Sequence, residues 1–222
     1  MPRFQPIEDR AAARKGGPEA LEALLAGWGP PADLASQTDD RVLSAMGKHI
    51  MAAGFRWRVV QAKWPGHEEA FGGFEVPRLA YMSDADIDEL ATDTRIIRNR
   101  LKIHCLRDNA RMLLELAEEE GSFAEFAGAW PDEDLVGLWA WLKANGSRLG
   151  GMTGPRTLRS LGKDCFLLTD HVQQALIEAK VIDKPATSKK ALKAVQAAFS
   201  EWKAETGRSF TDLSRILAYT IP

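Results

Sequence analysis

Apolar residues return every three or four positions over most of this chain, and nowhere do they alternate singly with polar ones as a half-buried strand demands. Val42, Leu43, Met46 and Ile50 follow the cap-like run Thr38-Asp39-Asp40 and predict a helix ending near Gly54. Ile103, Leu106, Ala110, Leu113 and Leu114 mark one stripe of a long helix from about Leu101 to Glu120, stopped by Gly121. Shorter helices are predicted over Pro18–Ala26, from Phe55 to a stop before Pro65, from a Ser83-Asp84-Ala85-Asp86 cap through Leu90, over Phe123–Ala129 and over Asp132–Asn145. A further helix opens at Thr169-Asp170-His171, and Ser188–Thr206 and Phe210–Ile221 complete the set. Residues 1–18, polar and punctuated by Pro and Gly, read as an extended arm. The fold class is therefore all-α.

The turn Trp28-Gly29-Pro30-Pro31 and the break Pro185-Ala186-Thr187 suggest three parts: an N-terminal arm with a short helix (1–27), a core (28–184), and C-terminal helices packing back on the core (185–222). Within the core, Leu135–Lys184 holds a glycine-dense turn between two helical patterns. Leu135–Lys163 contains no acidic residue, but carries Lys143, Arg148, Arg156, Arg159 and Lys163. N–H groups exposed at a helix start, backed by the positive end of its dipole, suit a phosphate. A helix C-cap followed by a proline-started helix is the other reading of the same glycines.

A chain of 222 residues holds one large domain or two small ones, with enough core to fold without staples. Its net charge of −2 argues against a nonspecific polyanion coat, yet a local basic face is compatible with DNA. Cys105 and Cys165 are too few for a disulfide framework or a structural zinc site, and His49, His67, His104 and His171 show no ligand spacing with them. No metal and no cofactor is expected. No run approaches the roughly 20 apolar residues of a membrane span, and the N-terminus lacks the apolar core of a secretion signal. A cytoplasmic monomer with no membrane partner is the expectation.

The glycine turn Leu149-Gly150-Gly151-Met152-Thr153-Gly154-Pro155 resembles the loop of the helix-hairpin-helix DNA-binding element. Ala53-Gly54-Phe55-Arg56-Trp57, Ile96-Ile97-Arg98-Asn99-Arg100-Leu101-Lys102-Ile103 and Asn109-Ala110-Arg111 resemble motifs of the DNA-3-methyladenine glycosylase I family, within the helix-hairpin-helix glycosylase superfamily. Trp28-Gly29-Pro30-Pro31 and Leu168-Thr169-Asp170-His171-Val172 are similar to two more of its motifs, in the same order. The resemblance implies a two-lobed helical glycosylase-like fold, duplex DNA carrying a damaged base as partner, and monofunctional hydrolysis of the N-glycosidic bond of alkylated purines such as 3-methyladenine. The departures are specific. Of the family's zinc ligands only His171 is matched, with Ala175 where a cysteine would follow, and the pocket glutamate falls on His49 by spacing back from Trp57.

A glycosylase extrudes one base, holds it against an aromatic surface, and stabilises positive charge on the sugar. The resemblance places Trp57, with Trp28, at the base; Trp57 is also a plausible core residue beside Val59 and Val60. His49 is a candidate to hydrogen-bond the base, or to protonate it should its pKa lie near neutrality; a satisfied helix histidine is the alternative. Asp170 is the candidate carboxylate for the sugar, or else part of a helix cap. Gly150, Gly151, Gly154, Arg156, Arg159 and Lys163 are the candidate DNA contacts, unless these cations are simply solvated. Arg156 stands roughly where strand-cleaving glycosylases carry a lysine, and arginine stays protonated and does not form a Schiff base. Arg98, Arg100 and Lys102 form a second basic cluster, with pairing to Asp84, Asp86 and Asp88 as the alternative to a place at the pocket side. An inactive DNA-binding protein of the same fold and a helical protein-interaction domain are the rival functions.

Overall fold

The computed structural model describes residues 2–27 and 33–222, and among these every regular element is helical. In chain order the α-helices are α1 (Gln5–Lys15), α2 (Pro18–Ala26), α3 (Asp39–Ala52), α4 (Trp57–Ala70), α5 (Val76–Ala80), α6 (Asp84–Leu90), α7 (Arg100–Glu119), α8 (Phe123–Ala129), α9 (Leu135–Asn145), α10 (Thr153–Leu161), α11 (Asp170–Glu178), α12 (Lys189–Thr206) and α13 (Phe210–Tyr219). They fall into two compact units, and α9 gives its first turn to one and the rest to the other. This partition differs from the contiguous division drawn from the sequence, because both chain ends belong to the same unit.

The unit that includes residues 33–129 and Trp139–Leu161 is built on α7. Ile103, Leu106, Ala110 and Leu113 are buried on its core face, against which α3, α5, α6 and α8 pack. Its start is fixed by Asn99, whose side chain accepts from the Lys102 N–H at 3.1 Å. Ser83 and Asp86 form a reciprocal capping box at α6. Contrary to the expected stop, α4 runs through Pro65 to Ala70. Pro65 is exposed while Trp64 and His67 face the core, and a stack of Trp64 on His67 (4.8 Å) and on Phe74 (5.4 Å) holds the helix across the proline.

The second unit contains α1, α2 and α11–α13. The predicted N-terminal arm is instead helix α1: Pro6 sits at its start, and Phe4, Ile7, Ala11 and Ala12 are buried along one side. Phe4 packs on Trp202 at 5.3 Å, and Arg208 bridges Glu8 and Glu22. Phe166 stacks on Phe199 at 4.2 Å in the same core.

Candidate active site

The glycine turn is held from beneath by α7. Asn109 is fully buried; its Nδ2 donates to the Ser147 carbonyl at 3.0 Å and its Oδ1 accepts from the Ser147 N–H at 2.7 Å. Leu149, also buried, anchors the loop, and the Gly154 N–H donates to its carbonyl at 3.1 Å. A Cβ at Gly154 would stand 2.6 Å from that same oxygen, so only glycine fits. Arg148 and Gly151 take positive φ (59° and 60°), which is strained for the arginine and easy for the glycine. Among the described residues the N–H groups of Gly150, Gly151 and Met152 donate to no protein acceptor. They precede α10, whose Arg156 is exposed.

Helix α10 packs on α3 within this unit, and the seam carries the candidate chemistry. The Ser160 hydroxyl donates to the Thr157 carbonyl at 2.8 Å, so its oxygen accepts from His49 Nε2, 3.2 Å away. This assigns the His49 proton to Nε2 and leaves Nδ1 an acceptor. The His49 ring stacks on Trp57 at 5.3 Å with 20° between planes. Trp57 is 42% exposed, so it is no sealed core residue. Lys48 Nζ lies 5.7 Å from the Trp57 ring and 5.5 Å from that of Trp64.

Burial depresses the His49 pKa to about 4, and the charges of Arg156 and Lys48 push it the same way. The imidazole is neutral at physiological pH, which removes the expected role of protonating a departing base and leaves hydrogen bonding and stacking. His67, fully buried, is also depressed, mainly by burial; its Nε2 accepts from the Ile97 N–H at 3.1 Å, so Nδ1–H donates to the Lys63 carbonyl at 2.8 Å. In the unfolded chain both rings gain protons near pH 6.5, whereas the folded protein resists this. The unfolded state then binds more protons, so stability is full above about 6.5 and falls as pH drops toward about 4. Urea midpoints are expected to decline over that window, and the decline to flatten in a His49→Gln, His67→Gln double variant. Equal slopes in both proteins would refute the assignment.

The other expected residues are placed as follows. Trp28 lies outside the described residues. Arg159 is half-buried in α10. Lys163 does not present a cation: it is 8% exposed, donates to the Trp130 carbonyl at 3.0 Å and pairs with Asp132 at 3.3 Å. Asp170 belongs to the unit of the chain ends and is exposed in the first turn of α11, where Thr169 is the residue that caps the helix. His171 is exposed, and among the described residues no three potential ligands converge, so the family's zinc does not fit this chain. In the second basic cluster Arg100 pairs with Asp88, and buried Lys102 donates to the Met51 and Ala53 carbonyls (3.0 and 2.6 Å), capping the end of α3. Burial and Arg148 lower the Lys102 pKa.

Three participants were given no role in the site by the sequence. Asn109 sits 38 residues from the turn that it clamps. Lys48 was hidden because neighbouring helix positions normally diverge. Phe55, 45% exposed in the loop before Trp57, lies over Lys102 at 5.0 Å. A visible signal was the acid-free run Arg41–His67.

The methyladenine glycosylase family model matches residues 26–136, half of the chain. DNA-3-methyladenine glycosylase 1 of Escherichia coli is 31% identical over 100 residues, covering 45% of this chain and 51% of that protein. DNA-3-methyladenine glycosylase of Haemophilus influenzae is 31% identical over 74 residues, covering 33% and 40%. The chain thus spans about half the length of the curated relatives it matches. A solved structure of 3-methyladenine DNA glycosylase I from Staphylococcus aureus superposes with a TM-score of 0.52 at 26% identity, over 61% of this chain and 80% of that one. The fold is that of the helical DNA glycosylases. The glycine turn and α10 lie beyond the family match.

Proposed function

This chain belongs to the methyladenine glycosylase family, and from that premise we propose that it is a monofunctional DNA glycosylase, hydrolysing the N-glycosidic bond of a damaged base in duplex DNA. Alkylated purines are the class that its relatives' names point to. One observation carries the reading: a half-exposed tryptophan stacked on a neutral histidine occupies the same compact unit as a glycine turn with unused N–H groups.

In this reading the turn holds the DNA backbone through the N–H groups of Gly150, Gly151 and Met152 at the start of α10, with Arg156 adding charge. Gly154 serves by letting the loop approach closely. Trp57 receives the extruded base, His49 offers Nδ1 to its edge, and exposed Phe55 is the apolar side chain suited to fill the gap left in the stack. Water takes the place of the base on the sugar. Because Arg156 cannot form a Schiff base, the product is an abasic site in an unbroken strand.

The test is direct: purified protein incubated with methylated duplex DNA releases free purine, and strands break at the damaged positions only after alkali. Failure to release a base from a panel of damaged duplexes would refute the enzyme. Arg156→Ala is expected to weaken DNA binding about equally for all sequences and to lower the slope of log affinity against log salt by about one phosphate contact. A slope identical to wild type, measured by anisotropy across a salt series, would remove Arg156 from the interface.

A further inference from the structure

The seam between α3 and α10 joins two stretches without a single carboxylate, Arg41–His67 and Trp139–Leu161. At their junction Lys48 Nζ lies within 6 Å of both the Trp57 and Trp64 rings, and Lys48 and Arg156 are the two charges acting on His49. The carboxylate that begins again at Glu68 is already engaged: it takes two hydrogen bonds from Arg41, at 3.1 Å each, one from Ser44 at 2.6 Å and one from Trp64 Nε1 at 3.0 Å. Beside Trp57 there is therefore a neutral imidazole acceptor with the Lys48 ammonium near the same ring and Arg156 acting on the imidazole, while the Glu68 carboxylate is committed to Arg41, Ser44 and Trp64.

We propose, resting on the glycosylase reading, that this site releases uncharged purine lesions in preference to N-methylated purines that carry a full positive charge. A cationic ring brought onto Trp57, beside Lys48 and the imidazole on which Arg156 also acts, meets like charge in a partly desolvated place, which disfavours binding. An uncharged base makes the opposite demand. As its C1′–N bond breaks, the electron pair passes to the base nitrogen, water adds its oxygen to C1′, and the proton that water loses ends on the departing base. The negative charge that builds on the base before that proton arrives is stabilised by the ammonium of Lys48 and the guanidinium of Arg156. The same cations thus help one leaving group and repel the other.

Single-turnover release decides the matter, with duplexes carrying 1,N6-ethenoadenine or hypoxanthine as uncharged bases and 3-methyladenine or 7-methylguanine as cationic ones. The expected result is release of at least one uncharged base about tenfold or more faster than either cationic base. Lys48→Glu, on a partly exposed position, and His49→Glu should each shift that ratio by about tenfold or more toward the cationic bases, with helical circular dichroism and urea midpoint confirming the fold. Faster release of the cationic bases by wild type, or a ratio unchanged within about twofold in both variants, overturns this proposal and leaves the glycosylase standing. Release of no base overturns both.

Discussion

Trp57→Ala is expected to lower single-turnover base release by about one to two orders of magnitude, because stacking of a base on an aromatic side chain is worth roughly 1–3 kcal/mol. The unfolding midpoint should move little by comparison, since 42% of Trp57 is already exposed. Trp57→Phe keeps a flat ring and should retain most of the activity. A rate within twofold of wild type in the alanine variant would mean that the base is received elsewhere.

Asn109→Ala is the second large effect, and it is expected in stability and DNA affinity together. The substitution leaves the part-buried Ser147 N–H and carbonyl without their partners, a loss of about 1–3 kcal/mol, less than the roughly 2–6 kcal/mol of two fully buried unsatisfied groups because water can reach this bend. It also releases the turn whose strained Arg148 and closely packed Gly154 depend on that clamp. Urea unfolding gives the first quantity, and anisotropy with a duplex at low salt gives the second. Lower stability with unchanged DNA affinity would show that the turn is not where DNA binds.

Much of the helical layout is legible in the sequence because its boundaries are written in local chemistry. Ser83 with Asp86, Ser188, and the glycine after Glu120 each mark an end that needs no distant partner. The errors arise where tertiary packing overrides local rules. Residues 1–18 look polar until Phe4 meets Trp202, and Pro65 looks like a stop until Trp64 and His67 are seen to anchor the helix on its far side. Lys163 is indistinguishable from a solvated cation in a list of residues, because its partner Asp132 is 31 positions away.

The candidate site divides in the same way. His49 and Trp57 are singled out by the family resemblance, and the structure stacks them. That His49 is neutral could not be read, because the depression of its pKa comes from burial and from Arg156, more than 100 positions later. The acid-free segments were visible as composition, but their meeting depends on α10 packing against α3.

The central claim is that one nucleotide leaves the duplex and comes to rest on Trp57 while the glycine turn holds the backbone. A crystal structure of the protein with a duplex bearing a hydrolysis-resistant damaged nucleotide measures this most directly. The predicted result is an extruded base stacked on the exposed part of Trp57, with DNA phosphate oxygens at hydrogen-bond distance from Gly151 and Arg156. A fully stacked duplex, or an extruded base held away from Trp57 with no phosphate at the turn, would contradict it.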